Sequence, residues 1–411
     1  MNGLPKKIEE NEIQALVFFL CSVFAPLWGV GYVLPFLLGL VFILLKNFLQ
    51  EETWRIFRAK KLVPVLIVFL LFLVLVLFSS LYHAESKWGS TDGLWVVLSA
   101  FIFFVFGVVA GAGTGTKKLI FYLKLYFCFA SALVLLTTIS FQSFQGGVWG
   151  NMNDLTTAVL MISGALCGIF LGDIRETSDF CVTVFLLPFI AFAFYFSVKI
   201  SSSDAALLLL VGLFFFLSIL VPCRHAFAVI WVFFLLIICT GIAFMVFGEP
   251  FNFKSLLSTQ RLESFLSFRP HGWLASLSMI RENLWTGIGS GLYKEFYEVL
   301  LPLLPGKKTV LSHSHCMYLV HFVAHGAAAG IAYITLLALN LRLVFNSLKD
   351  PELEPLGLMV VGIWFFALTY GLVELTPASR EMVPLLWGTS GLLAGNSVRG
   401  KAECIGIKRL I

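Results

Sequence analysis

The stretch Leu62–Leu81, LVPVLIVFLLFLVLVLFSSL, carries no charge over twenty residues. About 20 consecutive apolar residues is the length a helix needs to cross a bilayer. Its apolar residues run on without alternating, and lipid offers the backbone no hydrogen-bond partners, so the stretch reads as a spanning helix and not as a strand of a barrel. Ala226–Phe247 repeats the pattern far along the chain. Across all 411 residues, 59% are hydrophobic and only 12% charged. A soluble domain carries about 25% charged residues, and a single hydrophobic core stops growing beyond roughly 250–300 residues. The composition therefore excludes a soluble enzyme and makes lipid the solvent for most of the chain.

Working outward, the same reading places apolar segments at 13–30, 32–46, 62–82, 93–112, 119–141, 156–172, 179–198, 204–221, 226–247, 316–345, 357–373 and 383–397. The expected fold is all-α: a polytopic membrane protein of about twelve transmembrane helices. The opening MNGLPKKIEENEIQ reads as a cytoplasmic tail, since it has mixed charge and no cleavage-site pattern. No internal repeat or low-complexity linker stands out. The eight cysteines (Cys21, Cys128, Cys167, Cys181, Cys223, Cys239, Cys316 and Cys404) are scattered through apolar runs without a CxxC pair, as small buried hydrophobes would be.

Orientation follows from where lysine and arginine collect in short loops. With the N-terminus in the cytoplasm, eighteen of them fall on the inner side, including Lys46, Arg55, Arg58, Lys60 and Lys61, and only Lys87, Lys199 and Arg380 fall in short outer loops. The net charge of +5 is explained by this bias and calls for no nucleic acid. Three parts result: helices 1–9 over residues 1–247, an outer loop over 248–315, and helices 10–12 with a cytoplasmic tail over 316–411. Within the loop, His271 to Trp285 reads as an amphipathic helix. Its stripe is Trp273, Leu274, Leu277, Ile280 and Leu284, suited to lying in the membrane interface. Thr286-Gly-Ile-Gly-Ser-Gly-Leu292 then ends it with glycine turns.

Four of the seven histidines fall within thirteen residues: His313, His315, His321 and His325. His313 and His315 sit at the outer mouth of the tenth span, where a general base facing a polar cavity is the reading for His315 and a supporting or solvated role for His313. A helix beginning near residue 314 would put His315 in its first turn, where unpaired amides and the dipole disfavour imidazolium. His321 and His325 are spaced i, i+4 and share one helix face. They read as packing histidines, with a His-x3-His zinc site as the alternative. No Asp or Glu accompanies them within the motif, so no metal or other cofactor is expected. Arg261 and Arg269 lie upstream. Arginine presents a planar fork suited to phosphate oxygens, although a loop cation is commonly just solvated.

Taken together, Arg269-Pro-His-Gly-Trp273, Met279-Ile-Arg-Glu-Asn283, Gly287-Ile-Gly289-Ser-Gly291, His313-Ser-His315, Gly326 and Gly330 resemble the O-antigen ligase and polymerase family. His315 is followed by Cys316, nine residues and Gly326. That spacing fits the family, whereas the cysteine departs from its usual Asn, Ser or Gln. The family also carries a further arginine at the outer start of a span. Here Arg224 falls on the cytoplasmic side, and Lys199, in the outer turn Lys199 to Asp204, is the nearest cation by position. The resemblance implies a GT-C-like glycosyltransferase with its large loop in the periplasm, working in the bacterial inner membrane without metal or nucleotide sugar. The donor it implies is a glycan on undecaprenyl pyrophosphate. The acceptor is the lipid A–core oligosaccharide for a ligase, or another lipid-linked repeat unit for a polymerase. His315 and Arg269 would be catalytic, with Arg269, Arg261 and Lys199 binding pyrophosphate. The rival class is a transporter or flippase, which would place charges near mid-membrane, where this chain has few.

Overall fold

The computed structural model describes residues 56–83, 92–140, 152–173, 269–303, 310–372, 374 and 382–408. The expected spans at 13–30, 32–46, 179–198, 204–221 and 226–247 lie outside the described residues, as do Lys199, Arg224 and Arg261. Among the described residues there are helices and turns and no strand. In chain order the helices are α1 Val63–Tyr82, α2 Asp92–Gly113, α3 Thr116–Ser140, α4 Met152–Asp173, α5 Arg269–Glu282, α6 Tyr293–Leu300, α7 Val320–Ser347, α8 Glu354–Tyr370 and α9 Thr389–Lys408. A short 3₁₀ turn, Leu301–Leu303, follows α6, and a π turn, Pro384–Gly388, leads into α9. Three of these helices, over Val63–Tyr82, Gly93–Gly113 and Val320–Ser347, are long and apolar enough to cross a membrane, as an all-α membrane protein requires.

The stretch that opened the sequence reading is α1. Its inward face is Val65, Phe69, Phe72, Val76 and Ser79, spaced three or four apart, while Ile67, Leu71, Val74 and Phe78 are more than half exposed. An apolar outward face of this kind suits lipid. Lipid also removes the hydrophobic drive between helices, so close packing has to hold them together. Glycine provides it. On α4, Gly164, Gly168 and Gly172 lie four apart, and a side chain on them would strike the backbone of Gly362, Leu358 and Pro355 on α8. On α2, Gly107 and Gly111 meet Gly388 and Leu392, while Gly391 and Gly395 of α9 meet Phe104 and Val108. Polar bonds fix the register. Trp364 Nε1 donates to Ser390 Oγ at 2.7 Å, and Asn396 Nδ2 donates to the carbonyls of Gly111 and Thr114 at 3.1 and 2.8 Å.

The tenth span departs from the sequence reading twice. It begins at Val320, so His315 is not in its first turn. Short bonds hold the preceding segment in a non-helical form. His315 N–H donates to His313 Nδ1 at 3.2 Å, Ser314 Oγ donates to the Cys316 carbonyl at 3.0 Å, and Met317 N–H donates to the Gly371 carbonyl at 2.8 Å. The first two are local bonds of the kind that compete with helix formation, and the third ties the segment to the distant end of α8. The helix is also broken at Gly326, whose φ of 83° and ψ of 176° belong to a region open essentially to glycine alone. The break frees backbone groups, and the glycine turn after α5 takes them up. Ile288 and Gly289 N–H donate to the Val323 and Ala324 carbonyls at 2.9 and 3.0 Å, and Ala327 N–H donates to the Leu284 carbonyl at 2.7 Å. A broken helix at membrane depth is stable only when neighbours satisfy the freed groups in this way.

Candidate active site

The amphipathic helix of the sequence reading is α5, and its two faces differ. Gly272, Ala275, Ser276 and Met279 are buried against the protein. Leu274, Leu277, Leu284 and Trp285 are exposed. Its inner face is fixed by Tyr293 of α6, whose hydroxyl donates to the Gly272 carbonyl at 2.8 Å and meets Ser276 Oγ at 3.1 Å. Gly272 in turn lets the histidine-bearing loop come close: a Cβ there would stand 3.0 Å from Leu311 and 3.3 Å from the Ser314 carbonyl. The start of α5 is thereby pressed against residues 311–315.

At that start sits Arg269, 8% exposed, with Pro270 following where a missing amide costs nothing. Its Nη2 lies 3.9 Å from Glu374 Oε2, and His315 Nδ1 lies 3.4 Å from the same oxygen. Glu374 follows the C-terminus of α8, its amide bonded to the Tyr370 carbonyl at 2.9 Å, and its side chain is 1% exposed. A carboxylate this deeply buried needs a cation beside it, and Arg269 is that cation. Burial lowers the affinity of the Arg269 guanidinium for its proton, with Glu374 and Tyr370 opposing.

His315 has a φ of 47°, uncommon for a residue with a side chain. The strained backbone is held by its amide bond to His313 and by Trp273 Nε1, which lies 3.5 Å from the His315 carbonyl. The two imidazoles are tilted at 48° with centroids 4.0 Å apart. Burial, then the neighbouring His315, push the His313 ring down to about 4, with Arg269 adding to this and Glu374 opposing. That ring is therefore neutral at physiological pH, as its acceptance of a backbone N–H at Nδ1 requires. The arrangement provides one neutral imidazole, a second imidazole against a carboxylate, and a buried guanidinium.

His315, Arg269 and His313 are thus brought together, and a carboxylate joins them that the sequence reading lacked. Glu374 is far from the histidine motif in sequence, just beyond the expected end of the 357–373 span. Its signal was there to find: a lone acid ending an apolar run in Tyr370-Gly-Leu-Val-Glu374, where ionisable residues at membrane segments default to function. With it, His313, His315 and Glu374 place three potential metal-ligand atoms within 4.8 Å of one another. Tetrahedral zinc at about 2.0 Å from each ligand needs those atoms roughly 3.3 Å apart, and the positive charge of Arg269 beside Glu374 opposes a dication.

His321 and His325 belong to a different cluster. Their rings stack at 5.7 Å. His321 packs edge-on against Phe72 of α1 at 4.8 Å and lies 4.4 Å from Tyr333. His325 reaches Ser79 Oγ through Nδ1 and Ser290 Oγ through Nε2, both at 3.3 Å. They tie α7 to α1 and to the glycine turn. No curated protein matches the chain. The stretch that holds Arg269, the glycine turn and all four clustered histidines matches a known family, and Glu374 lies beyond the match: residues 189–334 match the family described as O-antigen ligase.

Proposed function

We propose that the protein is an O-antigen ligase. It transfers a polysaccharide from undecaprenyl pyrophosphate to the lipid A–core oligosaccharide at the periplasmic face of the inner membrane. The observation that carries this reading is the convergence of Arg269, His315 and Glu374 inside a chain with an O-antigen ligase family domain. The family match accommodates polymerase-type chemistry as well, and the acceptor distinguishes the two.

In the proposed step, an acceptor hydroxyl oxygen attacks the anomeric carbon. The bond from that carbon to the pyrophosphate oxygen breaks, and undecaprenyl pyrophosphate departs with the bonding electron pair. His315 takes the hydroxyl proton. With Nδ1–H donated to Glu374, the lone pair is left on Nε2, and the carboxylate stabilises the imidazolium that forms. The 3.4 Å separation is longer than a strong hydrogen bond, as is common in sites without substrate. Arg269 stabilises the negative charge that grows on the leaving pyrophosphate, acting in a site shielded from water. Lys199 and Arg261 are proposed as further cations for the pyrophosphate. One displacement on one face inverts the anomeric centre, and the chain's own residues supply every proton and charge the step needs without a metal.

Deleting the gene tests the assignment. A ligase deletion leaves full-length polymer on the lipid carrier and none on lipid A–core. Single repeat units attached to lipid A–core would instead identify a polymerase, and unchanged lipopolysaccharide would refute both.

A further inference from the structure

At the far end of α7 from His315, a cavity of about 200 Å³ opens between the start of α1, the last turns of α7 and α9. Lys60, Lys61 and Arg342 line it, and no acidic residue is among the described residues lining it. Asn346 adds an amide to the wall and the buried Ser397 of α9 a hydroxyl. The floor is apolar, made of Pro64, Val65, Leu339 and Leu343. The volume is several times the roughly 30 Å³ that one water occupies in the liquid.

We propose that this cavity binds the phosphodiester headgroup of an anionic phospholipid of the cytoplasmic leaflet. Three cations around one cleft suit a phosphate, with Arg342 able to present two parallel donors to its oxygens. The apolar floor argues for a lipid over a free anion. It continues onto the outward face of α1, where Ile67, Leu70, Leu71 and Val74 are exposed, so an acyl chain attached to the bound headgroup would have an apolar surface to follow. Basic pockets between membrane helices on the cytoplasmic side recognise lipid headgroups by this chemistry. The lysine and arginine bias puts this end of α1 and α7 in the cytoplasm. A lipid there would clamp α1 to α7, and these two helices also meet at their other end through Ser79 and His325. The site is independent of the transfer chemistry.

The test uses the purified full-length chain in neutral detergent. Phosphatidylglycerol, phosphatidylcholine and inorganic phosphate are each titrated, and bound lipid is read by native mass spectrometry and stability by thermal shift. Phosphatidylglycerol is expected to bind saturably and raise the melting temperature, while phosphatidylcholine and inorganic phosphate do neither. The combined Lys60→Gln, Lys61→Gln, Arg342→Gln variant is expected to bind phosphatidylglycerol about a hundredfold more weakly, since each of the three basic residues near an anionic lipid contributes roughly fivefold. The charge-retaining Lys60→Arg, Lys61→Arg variant, with Arg342 unchanged, keeps the binding. Equal affinity in the neutralised variant overturns the site, and so does equal binding of phosphatidylcholine. A stabilisation by inorganic phosphate that matches phosphatidylglycerol overturns the lipid reading. Should the triple variant fold poorly, Arg342→Gln alone carries the comparison, because that residue is exposed.

Discussion

Glu374 changes how the site's residues work together. It is 1% exposed and touches both a guanidinium and an imidazole, so removing Arg269 leaves a buried charge less well compensated. Arg269→Ala is therefore expected to lower transfer by about 10²–10³-fold, the usual cost of losing one charge-stabilising donor. Arg269→Lys should restore little of it, because a point charge does not replace a planar fork. Near-normal transfer by well-expressed Arg269→Ala would remove the phosphate role. His313 carries a separate expectation. Its ordinary value of 6.5 is pushed down to about 4 in the folded protein. Above pH 6.5 the ring is neutral whether the chain is folded or not. As pH falls from 6.5 towards 4, the unfolded chain takes up a proton that the folded one refuses, so stability is lost over that window. His313→Gln should flatten the fall in melting temperature across it, and an unchanged slope would contradict the buried, neutral ring. The histidine and arginine were legible in the sequence because the motif puts them in one stretch. Glu374 stood out only as a lone acid ending an apolar run, and its place beside His315 was not legible, because it reaches the site through the packing of α8 and not through spacing.

At the scale of elements, the break in α7 is the feature the site depends on. Gly326 has a backbone conformation that a side chain resists, and a Cβ there would also strike the carbonyl of Trp285. Gly326→Ala is expected to destabilise the protein by about 2–3 kcal/mol or more and to lower transfer, measured as melting temperature and activity at matched expression. Wild-type stability in that variant would mean that the glycine turn and the break are not coupled. Of the seven expected spans that fall on described residues, six coincide with a helix to within a few residues, since an uninterrupted apolar run leaves the backbone no other choice, and the seventh, 383–397, opens in the π turn and its helix runs on to Lys408. The sequence reading did not show that α7 starts at Val320 or that it breaks at Gly326. Both are set by bonds to residues distant in the chain, Gly371 and Leu284. The glycines at spacing four on α2 and α4 were in plain view, but their meaning lies in the partner helix, which the sequence does not name.

For the whole molecule, the proposed function requires the His315 end of the bundle to face the periplasm and the Lys60–Arg342 end to face the cytoplasm. Cysteines introduced at the exposed Lys294 of α6 and Lys349 beyond α7, in a background without the native cysteines, test this. Lys294→Cys should react with an impermeant thiol reagent added outside the inner membrane, and Lys349→Cys only after lysis. The reverse pattern would invert the orientation and remove the periplasmic chemistry with it. The central claim, that His315 is the base, is tested most directly by in vitro transfer of lipid-linked glycan to lipid A–core, with His315→Ala and His313→Ala compared at equal amounts of folded protein. His315→Ala should lose about 10²–10⁴-fold, the usual contribution of a general base, while His313→Ala retains a measurable fraction. An active His315→Ala beside a dead His313→Ala would show that the base is the other histidine.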